Sequence, residues 1–316
     1  MSAAKSLNAL RREIDKIDTE IHELIRRRTS VVESVRDLKM GQPIKIRPSR
    51  EDEILYRLIA NHSGNFPKRE LTRIWRELIV ATLSFEGPFS VAVYGGGDGD
   101  DGCRDLARDY YGSYSPMTVY PSARRVIETV QSQGATVGVL PMPHSGDEQP
   151  WWPHLVGQGE NAPRVIARLP FAGPGNGCDA NAEGIVVCPV DREATGRDRS
   201  WLVVEAEDQP GLTPVVAAMK KAGFATRFSA NWRDQQAGGP WLYLLEVDGF
   251  FAAEDRAVSR FVEALGSPVN RVVCLGSYGI PLSEEELAPV PEKKPAAQPR
   301  RKTTVKSTPE SRKRRS

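Results

Sequence analysis

LNALRREIDKIDTEIHELIRRRTSVVESVRDL, residues 7–38, decides how the first part of this 316-residue chain folds. Its apolar residues, Leu7, Leu10, Ile14, Ile17, Ile21, Leu24, Val31 or Val32, Val35 and Leu38, recur every three or four positions, the period of one helix face. At ~1.5 Å per residue, a helix from about residue 6 to residue 39 is roughly 50 Å long. A lone small domain cannot cover such a stripe, so the helix needs a partner. Gly41 and Pro43 end it, and Pro48 to Arg50 open a second, shorter helix carrying Ile54, Leu55, Leu58 and Ile59. Asn65 and Pro67 start a third, with Leu71, Ile74, Trp75, Leu78, Ile79 and Leu83 as its stripe up to Gly87-Pro88.

Beyond residue 88 the texture changes. Short β-like runs (Ser90 to Tyr94, Thr136 to Leu140, Gly184 to Val187) alternate with a helical stretch near Ala123 to Gln133, so residues 89–199 read as a reduced α/β segment. Pro and Gly crowd residues 141–198, Pro170 to Gly177 above all, and that half is expected to be poorly built. Residues 200–283 then read as βαββαβ: strand Trp201–Glu205, helix Leu212–Ala222, strands Ala225–Asn231 and Trp241–Asp248, helix Asp255–Ala264, strand Val269–Leu275. Residues 284–316 are expected to form a disordered basic tail, with +8 concentrated in 292–316 and −6 left for the rest. A solvated tail is the ordinary meaning of such a run, and no nucleic-acid partner is expected.

Composition sets the outer bounds. With 40% hydrophobic and 27% charged residues and no apolar run near the ~20 residues of a membrane span, the sequence predicts a soluble multidomain protein with no membrane partner. The polar first residues, Met1 to Arg12, do not read as a signal peptide, so a cytoplasmic location is expected. Cys103, Cys178, Cys188 and Cys274 are scattered without a Cys-x-x-Cys pair, which suggests neither a disulfide framework nor a zinc site. Gly97-Asp98-Gly99-Asp100-Asp101-Gly102 has the spacing of a dinucleotide fingerprint, yet three aspartates would repel a pyrophosphate; it reads as a solvated acidic turn. His144 and His154, among prolines and tryptophans, read as packing or surface residues.

Arg11, Arg28 and Lys39 stand on the long helix. Arg28 and Lys39 are about 20° apart round the axis and about 16 Å apart along it, so long side chains there can converge on one small anion. Arg11 lies about 25 Å from Arg28 and about 100° round, so if all three serve one site, Arg11 comes from a second subunit. A generally basic, solvated face is the competing reading, since Arg12, Arg26, Arg27 and Arg36 share the helix.

The string Leu7-Asn8-Ala9-Leu10-Arg11 through Ile17-Asp18, with Arg28, Lys39 and Arg50-Glu51, resembles the all-helical class of chorismate mutase over about residues 5–87. The resemblance implies an all-α domain over 1–88 whose three helices interlock with a second copy, giving a homodimer with shared sites and chorismate as substrate. It implies that Arg11 of the second copy, Arg28 and Arg50 grip the substrate carboxylates. Lys39 would donate to the ether oxygen and Glu51 would meet the ring hydroxyl. Thr82 and Glu86, one turn apart on the third helix, fall on the family's Ser and Gln. The implied reaction, chorismate to prephenate in phenylalanine and tyrosine biosynthesis, is a single pericyclic step. It needs a fixed conformer and stabilised charge, and no cofactor or metal. Arginines suit this because they hold carboxylates bidentately. Two departures stand out: Arg47 replaces the usual acidic residue before Arg50-Glu51, and Glu86, unlike Gln, donates only when protonated.

Residues 89–199 resemble a worn prephenate dehydratase. Ser90 to Gly95 is similar to that family's first strand and Gly138-Val139-Leu140-Pro141 to a later one. Where the family has Ile-Glu-Asn this chain has Met142-Pro143-His144, and where it has Thr-Arg-Phe this chain has Arg199-Ser200-Trp201, so no dehydratase activity is expected. Residues 200–283 resemble an ACT domain through Gln209-Pro210-Gly211-Leu212, Trp241-Leu242-Tyr243 and Leu275-Gly276-Ser277-Tyr278. The resemblance makes Gly211 and Leu212 half of a possible amino-acid effector site, while Ser229-Ala230-Asn231-Trp232 replaces the other half's Glu-Ser-Arg-Pro. The alternatives are a bifunctional mutase and dehydratase, and a non-catalytic amino-acid-binding regulator.

Overall fold

The computed structural model describes residues 6–38, 46–96, 102–157, 159, 161–207, 211–236, 238–252 and 269–289, without the side chains of 84–86. Three helices come first: α1 (Leu7–Leu38), α2 (Pro48–Asn61) and α3 (Lys68–Glu86). Pro48, whose missing N–H costs nothing in a first turn, opens α2, and Glu51 places a negative charge near its positive end. The expected all-α region is present. Its longest member is bare: no residue of α1 is buried, and Leu7, Ile14 and Leu24 are 63%, 56% and 59% exposed.

The rest of the described chain builds one sheet of nine strands, in the order β2-β1-β3-β5-β4-β9-β6-β8-β7. The strands are β1 (Val91–Tyr94), β2 (Met117–Tyr120), β3 (Val137–Pro141), β4 (Arg164–Leu169), β5 (Gly184–Cys188), β6 (Asp198–Ala206), β7 (Thr226–Trp232), β8 (Trp241–Asp248) and β9 (Val269–Gly279). Helices α4 (Gly102–Tyr111) and α5 (Ala123–Gln131) make the crossovers of a parallel β2-β1-β3 unit. Ser122 caps α5 by accepting from the Arg125 N–H. Helix α6 (Leu212–Lys221) covers the antiparallel β9-β6-β8-β7 end, where Val215 and Met219 pack under Leu202, Val204 and Tyr243. The strands and first helix of the expected βαββαβ pattern are thus present, and the expected helix Asp255–Ala264 lies outside the described residues.

Three expectations change. The α/β and βαββαβ segments share one sheet, β4 joining β9 in parallel at Val165 and Gly276. Strand β6 also begins at Asp198, before the expected boundary at 200. The described residues of 141–198 are well built: every residue of β5 is buried, and the Pro170–Gly177 loop is tied down by Gly175 N–H to Asp109 (2.9 Å) and Leu282 N–H to the Phe171 carbonyl (2.8 Å). Glycine and proline shape that loop without loosening it, since Asp109 accepts from its Gly175 amide and the Leu282 N–H donates to its Phe171 carbonyl. Finally, the expected disordered tail starts too early. Helix α7 (Glu284–Leu287) is closed by a capping box between Ser283 and Glu286, Leu287 is buried, and Arg197 pairs with Glu286 at 2.5 Å. The hydrogen bond from Arg197 pulls the Glu286 carboxyl down to about 2. No described helix is long and apolar enough to cross a membrane.

Candidate active site

Helices α1 and α3 meet where Arg28 reaches across. Its Nη1 donates to the Leu78 carbonyl at 3.1 Å and lies 3.5 Å from Thr82 Oγ1, and partial burial lowers its pKa by desolvation. Thr82 is buried one turn further along α3 and donates back to the Ile79 carbonyl at 2.7 Å. Two of the sequence-predicted residues are therefore brought together, as a half-desolvated cation beside a hydroxyl. The guanidinium keeps donors beyond those two contacts, which is what a carboxylate-binding group requires. Arg11 stays exposed near the other end of α1, and no described contact draws it toward Arg28. Lys39 lies outside the described residues, and of Glu86 only the backbone, closing α3, is described.

Arg50 and Glu51 part company on α2. Arg50 is exposed and pairs loosely with Glu53 at 3.2 Å. Glu51 is buried, and its carboxylate is taken by Arg76 of α3 at 2.6 Å, with side-chain exposures of 8% and 4%. Arg76 also donates from Nε to the Tyr110 carbonyl (3.1 Å) and stacks on the Tyr110 ring, 3.7 Å from its centroid. The expectation that Glu51 meets a substrate hydroxyl thus encounters a carboxylate already engaged in the seam between α2, α3 and α4. The signal for this lay in α3: Arg76 is one turn from Thr72, Ile79 and Val80, all buried, so a charge there must find a partner. Replacing Arg76 by Met strands the Glu51 carboxylate inside the protein. An urea titration is expected to show a loss of about 3–5 kcal/mol, and a loss below 1 kcal/mol would mean that Glu51 finds water or substrate instead.

Asp52 and Arg192 are further residues that sequence reasoning missed. They form an ion pair at 2.8 Å, with side chains 1% and 2% exposed. Burial raises the Asp52 carboxyl to about 6 against the pull of Arg192. At the far end of the sheet Gly211, with φ of +83°, sits at the N-cap of α6, and Leu212 packs into the core beneath that helix. Ser229-Ala230-Asn231-Trp232 lies on the edge strand β7. No group of three or more potential metal-ligating His, Cys, Asp or Glu side chains occurs among the described residues.

The dehydratase-like positions are committed elsewhere. Arg199 donates to Asp248 at 2.9 Å, Ser200 is fully buried 2.7 Å from the Ser277 hydroxyl, and the His144 N–H is held by Asp147. These are the contacts of strand packing and a turn.

Comparison with known proteins agrees on the helical region. Residues 10–87 match the family model for chorismate mutase type II. The chain is 31% identical over 143 residues to a bifunctional chorismate mutase/prephenate dehydratase of Aquifex aeolicus, an alignment covering 44% of this chain and 39% of the relative. It therefore spans about two fifths of that curated relative's length. Among solved structures it is similar to the prephenate dehydratase of Arthrobacter aurescens in complex with L-Phe (TM-score 0.44, 16% identity, 63% of this chain and 92% of the other). It is similar to the same degree to GqqA, described as a novel type of quorum quenching acylase (TM-score 0.44, 14% identity, 62% and 97%). The three N-terminal helices, with Arg28 and Thr82 apposed across α1 and α3, are the part of the chain that matches chorismate mutase type II, and they are carried on an α/β body.

Proposed function

We propose that this chain converts chorismate to prephenate, within the synthesis of phenylalanine and tyrosine, in a site completed by a second copy of itself. The observation that carries the reading is α1: it holds Arg28 half-buried against Thr82 while its apolar stripe, Leu7 to Leu24, is left exposed by the described residues. Burying a leucine or isoleucine side chain is worth about 1.5–3 kcal/mol, so five or six of them left in water are a strong drive for another copy of α1. Antiparallel pairing of two such helices brings the partner's Arg11 toward Arg28, which one chain cannot do.

In that site Arg28, Arg50 and the partner's Arg11 fix the two substrate carboxylates and so hold the reacting conformer, which removes the entropic part of the barrier. Lys39 and protonated Glu86 supply donors to the ether oxygen as negative charge grows there. Thr82 sits close enough to Arg28 to set its direction. The turn at Gly211 and Leu212 is the place we assign to an amino-acid effector, by its position at the start of α6.

The test is direct. Purified protein given chorismate is expected to form prephenate, with Arg28→Ala slower by about 100-fold or more, as for loss of a desolvated charge contact. Prephenate supplied at neutral pH is expected to persist, because Arg199 and Ser200 are engaged by Asp248 and Ser277 and His144 stands in an exposed turn. Enzyme-dependent phenylpyruvate would make the protein bifunctional, and no prephenate at all would leave the amino-acid-binding regulator.

A further inference from the structure

Helix α2 has three faces. Arg50 is on the exposed one, Glu51, about 100° round, faces Arg76, and Ser49, Asp52 and Tyr56, at i, i+3 and i+7, line the third. That third face is bound to the α/β body by polar contacts. Ser49 Oγ donates to the Glu193 carbonyl (2.7 Å) and accepts from the Glu193 N–H (2.9 Å), Asp52 accepts from Arg192, and the Tyr56 hydroxyl donates to the Ile280 carbonyl (2.6 Å). Gly279 leaves no room to spare, since a Cβ there would collide with the Asp52 carboxylate.

Arg192 is the knot of this seam. Its Nη1 donates to the Ile166 carbonyl within β4 (2.6 Å), and its Nη2 serves Asp52 of α2 (2.8 Å) and Asp198 at the start of β6 (3.5 Å). Asp198 in turn accepts from the N–H groups of Thr195 and Gly196. One planar guanidinium therefore references α2 to two strands of the sheet. As a device for stability the arrangement is poor: Asp52 Oδ1 and Arg192 Nε are buried without a hydrogen-bond partner among the described residues. Apolar side chains of similar volume hold such seams as well or better. What they do not supply is direction, because a hydrogen bond fixes rotation and axial position whereas apolar contact tolerates sliding.

We propose that Arg192 is a positioning residue for the mutase site, acting through Asp52 to fix the rotation of α2 and with it the direction of Arg50. The proposal rests on the mutase reading above. It also gives the α/β body a function at that site. Strand β6 begins and β9 ends at this seam, so the βαββαβ unit bears on α2 with no intervening element.

The test separates position from stability. The double variant Asp52→Leu/Arg192→Met exchanges the ion pair for apolar groups. It is expected to melt near the wild-type temperature yet to show a KM for chorismate raised about tenfold, with a smaller change in kcat, as for a displaced binding group. Arg192→Lys keeps the charge but not the fork that serves three acceptors, and is expected to fall between the two. Should the double variant not fold, the Lys variant decides. Wild-type KM in a folded variant overturns the proposal. Amide exchange along α2 in the full chain provides a readout free of substrate. It is expected to quicken in both variants, and unchanged exchange overturns the proposal even if the wild type turns out not to act on chorismate. An inactive wild type with quickened α2 exchange would sink the mutase reading alone.

Discussion

Mixing Arg11→Ala protein with Arg28→Ala protein is expected to recover about a quarter of wild-type chorismate turnover, although each variant alone is nearly inactive. The two residues stand seventeen positions apart on one unbroken helix, about 25 Å along its axis, so within one chain they cannot touch the same small dianion. If sites are shared, each holds Arg28 from one chain and Arg11 from the other. Each single variant then damages both of its sites. A mixed dimer has one site lacking both arginines and one lacking neither, and random exchange makes half of all dimers mixed, which gives the quarter. Mass spectrometry of the exchanged sample establishes that mixed dimers form. Their presence without recovered activity would show that the two arginines do not serve one site.

Gly276→Ala is expected to be the most damaging single-methyl change in the α/β body. Gly276 has φ of +127°, a region in which other residues are strained by about 1–3 kcal/mol. It is also the position at which β9 joins β4, and a Cβ there would overlap the Val165 backbone, 2.5 Å from its nitrogen. The collision is with main chain, which has no rotamer to retreat into, so the two halves of the sheet must part. A total loss above about 4 kcal/mol follows, a fall in Tm of roughly 10 °C for a domain of this size. Gly157→Ala is the control, because nothing among the described residues lies within 4 Å of its Cβ position, and should leave Tm unchanged. Equal melting of the two variants would mean that β4 and β9 are not joined at this register.

The parts of the fold that were legible in the sequence are those with a clean period. The helices α1, α2 and α3 followed from apolar residues at three and four, and β1, β3, β5 and the βαββαβ strands from short β-rich runs. Strand β2 escaped because it is a four-residue edge strand, Met117-Thr118-Val119-Tyr120, whose side chains are all at least partly exposed. Strand β4 escaped because Arg164 and Arg168 break its apolar run, and both are explained only by distant partners: Asp191 for the first, Glu183 and Glu246 for the second. The union of two segments into one sheet rests on a single parallel pair between residues more than a hundred positions apart, which no local pattern announces. Arg28 and Thr82 were found from the family resemblance and are apposed in the structure. The engagement of Glu51 by Arg76 was not foreseen, since a buried ion pair depends on which faces of two helices meet.

The hydroxyl of Tyr56 reaches Ile280, 224 residues later in the chain. At about 5–20 residues per second of synthesis, the helices leave the ribosome roughly 10–45 s before the strand end that receives them exists. A leucine-rich docking face would spend that interval as a target for aggregation. Ser49, Asp52 and Tyr56 instead present groups that water satisfies while they wait, and each exchanges water for a fixed partner once Glu193, Arg192 and Ile280 arrive. The polarity of the seam thus protects the nascent chain as well as orienting the finished one, and it lets the early helices seek one another before their own support is complete.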